Sequence, residues 1–164
     1  HLLRARLYTV SSLPARRVAL RRLSHAVVGF SAGLLVGRLS VSDVFLLSFL
    51  GVLGGVFPDF DLRHAHRVAL HNLLSSSIVS LGLYSVLAMA GVDAQTRILG
   101  TVCFLAGWLS HLLLDSLTLK GVALLYPFSR RMYGPRLLKS GDWKGEALAW
   151  MISGVLVYAA LKTW

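Results

Sequence analysis

Five apolar runs divide the chain, at about 23–36, 44–57, 70–90, 98–114 and 147–161, and most of its polar residues sit between them. A helix that crosses a bilayer alone needs roughly 20 apolar residues. The third run reaches that length, while the first two fall short unless they extend through their polar flanks, so either could be tilted or re-entrant. The pattern therefore predicts an all-α fold: a polytopic helical membrane protein with about five transmembrane or partly re-entrant helices. Residues 23–164 read as a single helical membrane domain. Within it, 116–146 forms an interfacial loop carrying Tyr126, Phe128, Tyr133 and Trp143 among basic residues, with Pro127 and Pro135 breaking any long helix. Aromatic rings and cations both settle at headgroup depth. Residues 1–22 alternate basic and apolar positions, as an amphipathic helix lying on anionic lipid would. They lack a convincing small-residue cleavage site, which favours an uncleaved anchor over a signal peptide.

Composition strengthens the membrane reading. The chain is 55% hydrophobic and 15% charged, with a mean hydropathy of +0.67, more apolar than an ordinary soluble domain of this size. A net charge of +10 could suggest nucleic acid. No zinc finger, helix-turn-helix or aromatic-interleaved RNA motif accompanies the basic residues, so their distribution argues against it. They flank the apolar runs instead. With a cytoplasmic N-terminus and five spans, fourteen of the seventeen lysines and arginines fall inside, leaving Arg38, Arg97 and Lys162 outside. That asymmetry predicts a multi-pass protein of the inner membrane in this orientation. The lone cysteine, Cys103, excludes a disulfide framework and a thiolate zinc site. His1 is given no functional weight.

The same topology collects the chemistry on one face. Five of the six histidines and three of the seven acidic residues occupy four short clusters. These are Ser24-His25, Pro58-Asp59-Phe60-Asp61, His64 to Asn72, and Ser110-His111 with Asp115 and Thr118. Each is expected at the cytoplasmic end of a span. Ionisable groups near hydrocarbon are expensive and mark function by default. His111 and Asp115, four apart, share a helix face, and Thr118 can hydrogen-bond a ligand carboxylate. Asp59 and Asp61 follow a proline that halts the helix, and two close carboxylates favour a cation. His66 and His71 are five apart, so both can ligate only if His66 precedes the helix. Arg67 can clamp an anion bidentately. Each cluster also has a plainer reading: a helix-end cap, a His–Asp tie between helices, or an arginine reaching for headgroups.

Imidazole with carboxylate suits zinc or manganese. His25, Asp59, Asp61, His71, His111 and Asp115 make six candidate ligands, enough for one ion with an acid–base set or for two ions.

These motifs resemble the YdjM-like inner-membrane proteins, described as membrane-bound metal-dependent hydrolases. The resemblance runs from about Ser24 to Phe128. It rests on His25, Pro58-Asp59-Phe60-Asp61, His66-Arg67-Val68-Ala69-Leu70-His71-Asn72, the stretch from Ser110 to Gly121, and Tyr126-Pro127-Phe128. The chain departs from the family pattern in three places. Val68-Ala69-Leu70 and Asn72 stand around His71 where Gly-x-Thr and Ser are usual, Leu62 where histidine is frequent, and Leu119 where proline is usual.

The resulting expectation is a metal-dependent hydrolase at the cytoplasmic interface, cleaving a phosphoester or other ester of a lipid or lipid-linked substrate. Asp61, His66 and Arg67 are the expected catalytic residues, with His66 as general acid or further ligand and Arg67 holding the anionic group. The competing expectations are a non-enzymatic metal binder, a transporter, or a scaffold whose polar clusters only stabilise helix ends.

Overall fold

The computed structural model describes residues 15–37, 43–61, 69–139 and 142–162, with side chains described from Leu23 onward except that of Asp61. His64, His66 and Arg67, and the segment before Ala15, lie outside the described residues.

Each apolar run forms a helix, and no strand of a sheet occurs among the described residues. The elements are α1 (Ala15–Gly37), α2 (Val44–Val56), a 3-10 turn (Phe57–Asp61), α3 (Leu73–Met89), α4 (Ala94–Ser116) and α5 (Trp143–Lys162). Two of them, α4 and α5, are long and apolar enough to cross a membrane. At 1.5 Å per residue the 13 residues of α2 reach only about 20 Å, which bears out the expectation that the second run is short. α2 compensates by lying between partners: it packs on both α1 and α4, while α3 rests mainly on α4 and α5 on α1.

The core forms by backbone approach. Gly29, Gly33 and Gly37 recur every fourth residue on α1, and Gly51 and Gly55 do the same on α2. Small residues at that spacing let helices approach closely when lipid offers no hydrophobic drive between them. A methyl group added at Gly29 would sit 2.5 Å from the Gly51 carbonyl oxygen, and one at Gly55 would sit 2.6 Å from that of His25. On α4, a methyl at Gly107 would overlap the Gly51 carbonyl. Leu47, Cys103, Phe104, Trp108 and Leu112 fill the space around this crossing. Ser31 donates to Ser153 at 3.1 Å and ties α5 to α1.

Helix ends are set by local chemistry. Asn72 caps α3, its side chain accepting from the Ser75 amide at 2.8 Å. Asp93 caps α4, accepting from the amides of Gln95 and Thr96. Hydrogen bonds from Thr96, then the Gln95 amide, hold the Asp93 carboxyl below its ordinary range. Pro58 has no N–H to extend the α2 ladder, so the chain tightens into the 3-10 turn. The loop after α4 is a small structured unit. Val122 and Tyr133 exchange backbone hydrogen bonds, and the Leu124 carbonyl accepts from the Leu73 amide, joining the loop to α3. The Tyr126–Pro127 peptide is cis.

The outer faces are apolar. Ile78, Leu81, Val86 and Met89 on α3, and Met151, Val155, Tyr158 and Leu161 on α5, are exposed. A contiguous apolar surface of that kind marks a membrane or partner contact.

The glycine contact predicts a sharp contrast. Gly107→Ala should cost about 3 kcal/mol or more, as overpacking at a site with no room to shift. Gly82→Ala, with nothing within 4 Å of the added methyl, should be neutral or slightly stabilising. Thermal unfolding in detergent checks both.

Candidate metal centre

Every described cluster falls at one end of the bundle. His25 lies in the N-terminal half of α1, Asp59 in the 3-10 turn and His71 one residue before the α3 cap. His111 and Asp115 occupy the last turns of α4. The packing of α1, α2 and α4 on one another, and of the segment before α3 on α4, brings these positions together. Their side chains are largely withdrawn from solvent, from 0% exposed at His111 to 16% at Asp59.

His111 is the centre of the group. Its Nδ1 lies 2.8 Å from the Gly55 carbonyl oxygen. A carbonyl only accepts, so Nδ1 carries the hydrogen, and in the neutral ring Nε2 is the atom that presents a lone pair. That bond fixes ring orientation and tautomer, as an outer hydrogen-bond partner does for a metal-ligating histidine. The Gly55 carbonyl is available because it belongs to the last turn of α2, where carbonyls lack intrahelical partners.

The His111 Nε2 atom faces His71 Nε2 at 3.2 Å, Asp115 Oδ2 at 3.8 Å and Asp59 Oδ1 at 4.0 Å. His71 Nε2 lies 3.5 Å from the same Asp115 oxygen. Ligand atoms about 2.0–2.1 Å from a tetrahedral ion lie about 3.3 Å from one another. The observed spacings are close to that or slightly wider, so a small contraction would seat a divalent cation. Two nitrogens and two carboxylate oxygens form a donor set suited to zinc or manganese. His25 completes the group. Its ring stacks on that of His111 at 3.9 Å between centroids, and its Nε2 lies 3.8 Å from Asp115 Oδ1. The arrangement contains two sets of three possible ligands, His25–His111–Asp115 and Asp59–His71–His111.

Neighbouring residues hold the ligands in place. Asn72 Nδ2 donates to the Ala69 carbonyl at 2.8 Å, so the residue that caps α3 also pins the strand carrying His71. The Trp108 indole N–H donates to the Leu70 carbonyl at 3.1 Å, fixing the same segment against α4. Thr118 donates to the main-chain carbonyl of Asp115 at 2.7 Å and closes the end of α4.

Of the six ligand candidates, the structure gathers His25, Asp59, His71, His111 and Asp115. Asp61 ends the 3-10 turn, and its side chain is outside the described residues. His66 and Arg67 lie outside them as well. Sequence reasoning missed two groups. One is the Gly55 carbonyl, which no motif marks. The other is Glu146, the chain's single glutamate, which accepts a hydrogen bond from the Ser24 hydroxyl across α1 and α5. An acid in the first turn of a span, on the basic side, was the available signal.

Metal binding follows as an expected outcome. His111→Ala should weaken zinc binding by more than the roughly 10–100-fold that loss of an outer partner costs. Asp115→Asn should weaken it as well, while Asp93→Asn, at the other end of α4, should leave it unchanged. Chelator competition on the detergent-purified protein measures all three.

A family model described as YdjM inner membrane protein matches residues 20–163, a span containing every residue of this centre. No curated protein and no solved structure matches the chain.

Proposed function

Because the chain belongs to the YdjM inner membrane protein family, we propose that it is a membrane-bound metal-dependent hydrolase whose centre faces the cytoplasm. The observation that carries this reading is the gathering of His71, Asp115 and Asp59 within 3.2–4.0 Å of the His111 Nε2 atom, whose ring Gly55 orients. A structural tie would need only one such pair.

A bound divalent cation, zinc or manganese, would supply a water acidified toward neutral pH and a Lewis acid for an ester oxygen. The chain's own residues do the rest. His71, His111, Asp59 and Asp115 hold the ion, and burial of the His111 ring restricts water to the open side of the cluster. Asp61 and His66, close in sequence to Asp59 and His71, would move protons at the attacking water and the leaving oxygen. Arg67 would clamp the substrate's anionic group.

A lipid or lipid-linked ester, most simply a phosphoester, is the proposed substrate. The loop after α4 supports this choice. Phe128 and Leu137 are exposed there among Arg130, Arg131 and Arg136, with the Arg131 guanidinium 5.7 Å from the Tyr133 ring centre. Such a surface suits headgroup depth.

Two outcomes test the proposal. Protein stripped with EDTA should not hydrolyse bis(p-nitrophenyl) phosphate or short-chain phospholipids, and zinc or manganese should restore turnover. His111→Ala should lower the restored rate by at least about 100-fold, the scale of losing a preorganised electrostatic group. Metal-loaded protein inactive on every ester would leave a non-enzymatic metal binder. The proposed orientation has its own check. In a Cys103→Ala background, Arg130→Cys should react with an impermeant maleimide only from the cytoplasmic side, and Gln95→Cys only from the opposite side.

A further inference from the structure

The cluster holds more donor atoms than one ion can use, and their directions divide them. The Asp115 carboxylate spreads its two oxygens apart: Oδ2 serves His71 and His111, whereas Oδ1 turns to His25. The His111 ring has one lone pair, because its other nitrogen is committed to Gly55. The His25 ring lies stacked on it at 3.9 Å with only 26° between planes. An imidazole lone pair lies in the ring plane. Although the His25, His111 and Asp115 ligand atoms are near one another, an ion lying in the plane of one of two nearly parallel rings lies out of the plane of the other. Such an arrangement suits two ions about 3.5–4 Å apart, the separation of two-metal hydrolytic sites.

The His25 side is also the open side. A cavity of about 60 Å³ begins at His25 and Asp115 and extends between α1, α4 and α5 to Ser24, Asp142 and Glu146, with Lys139 at its edge. That volume exceeds the roughly 10–15 Å³ that one water requires, so the cavity can hold water. Three of the chain's seven acidic residues line it, although the chain as a whole carries a net +10. Glu146 is held toward it by the hydroxyl of Ser24, the neighbour of His25.

We propose that the structure provides a second divalent-cation position, bound by His25 and Asp115 Oδ1, bridged through Asp115 to the first, and completed by cavity waters that Glu146 holds. This rests on the metal-centre reading above and deepens it. The first position has His71, His111 and Asp59 around it, with Asp115 Oδ2 beside the two histidines. The second has two protein ligands, so it is the weaker and the more exchangeable. Its water-filled coordination sites face the cavity by which a substrate oxygen would approach.

The test is a manganese titration of EDTA-stripped, tag-free protein in detergent, counting bound ions and recording the electron paramagnetic resonance spectrum. The wild type should bind two ions with unequal affinity and show the spectrum of a spin-coupled pair. His25→Ala should bind one, uncoupled. Glu146→Gln, at the rim and expected to fold normally, should keep the tight ion and bind the second roughly tenfold more weakly, the effect of losing an outer partner. A wild type binding one ion, or a folded His25→Ala variant still binding a coupled pair, overturns the second position and leaves the first standing. Unchanged binding in Glu146→Gln removes Glu146 from the site. A wild type binding no ion overturns both readings together.

Discussion

The bond from His111 to the Gly55 carbonyl depends on backbone geometry that side chains alone could not provide. A histidine can be oriented this way only if α4 comes close enough for its side chain to reach the main chain of α2. The glycines make that possible. Gly107 lets α4 press on Gly51, and Gly55 lets α2 press on the backbone of His25. His111 is one turn beyond Gly107, and Gly55 is one turn beyond Gly51. The contact that closes the core and the contact that orders the metal centre are successive turns of the same crossing. Stability and chemistry are thus coupled here: a side chain that forced the helices apart would also turn the His111 ring.

Much of the architecture was legible in hydropathy because membrane helices must satisfy their own backbone. Five apolar runs gave five helices, and the short second run gave α2, the shortest of the five. The gathering of His25, Asp59, His71, His111 and Asp115 was legible for a related reason. Once the runs are antiparallel spans, residues at their alternate ends must meet. Direction was not legible. That His25 stacks on His111 rather than pointing at His71, and that Asp115 divides its oxygens, depends on helix rotation, which a period-3.6 pattern with weak amphipathicity does not fix. Glu146 escaped for the opposite reason. It sits alone in the first turn of α5, far in sequence from any histidine, and only the α1–α5 contact gives it a partner.

The departures from the family pattern look less disruptive against this geometry. Asn72, where serine is usual, is an equally good helix cap, and its amide adds a donor to Ala69 that a hydroxyl would have to share. Leu70, in place of a small polar residue, gives its side chain to the core around Trp108 and its carbonyl to the indole. The positions that changed are those that support His71, and the support has been rebuilt by other means. None of the three departures falls on a candidate ligand.

Charge balance supplies the remaining constraint. Asp59 and Asp115 face imidazoles in a largely buried cluster where an uncompensated carboxylate is costly. Histidine protons could offset one carboxylate, but His111 keeps its Nε2 lone pair only while neutral. A divalent cation offsets both carboxylates and leaves the ring as the Gly55 bond sets it. The same logic extends outward. Asp142 and Glu146 add two further carboxylates along one cavity, with Lys139 as the one lysine or arginine lining it among the described residues. In a chain that otherwise concentrates positive charge on this face, that reversal of sign makes the cavity attractive to cations and to the polar end of a substrate already neutralised by one.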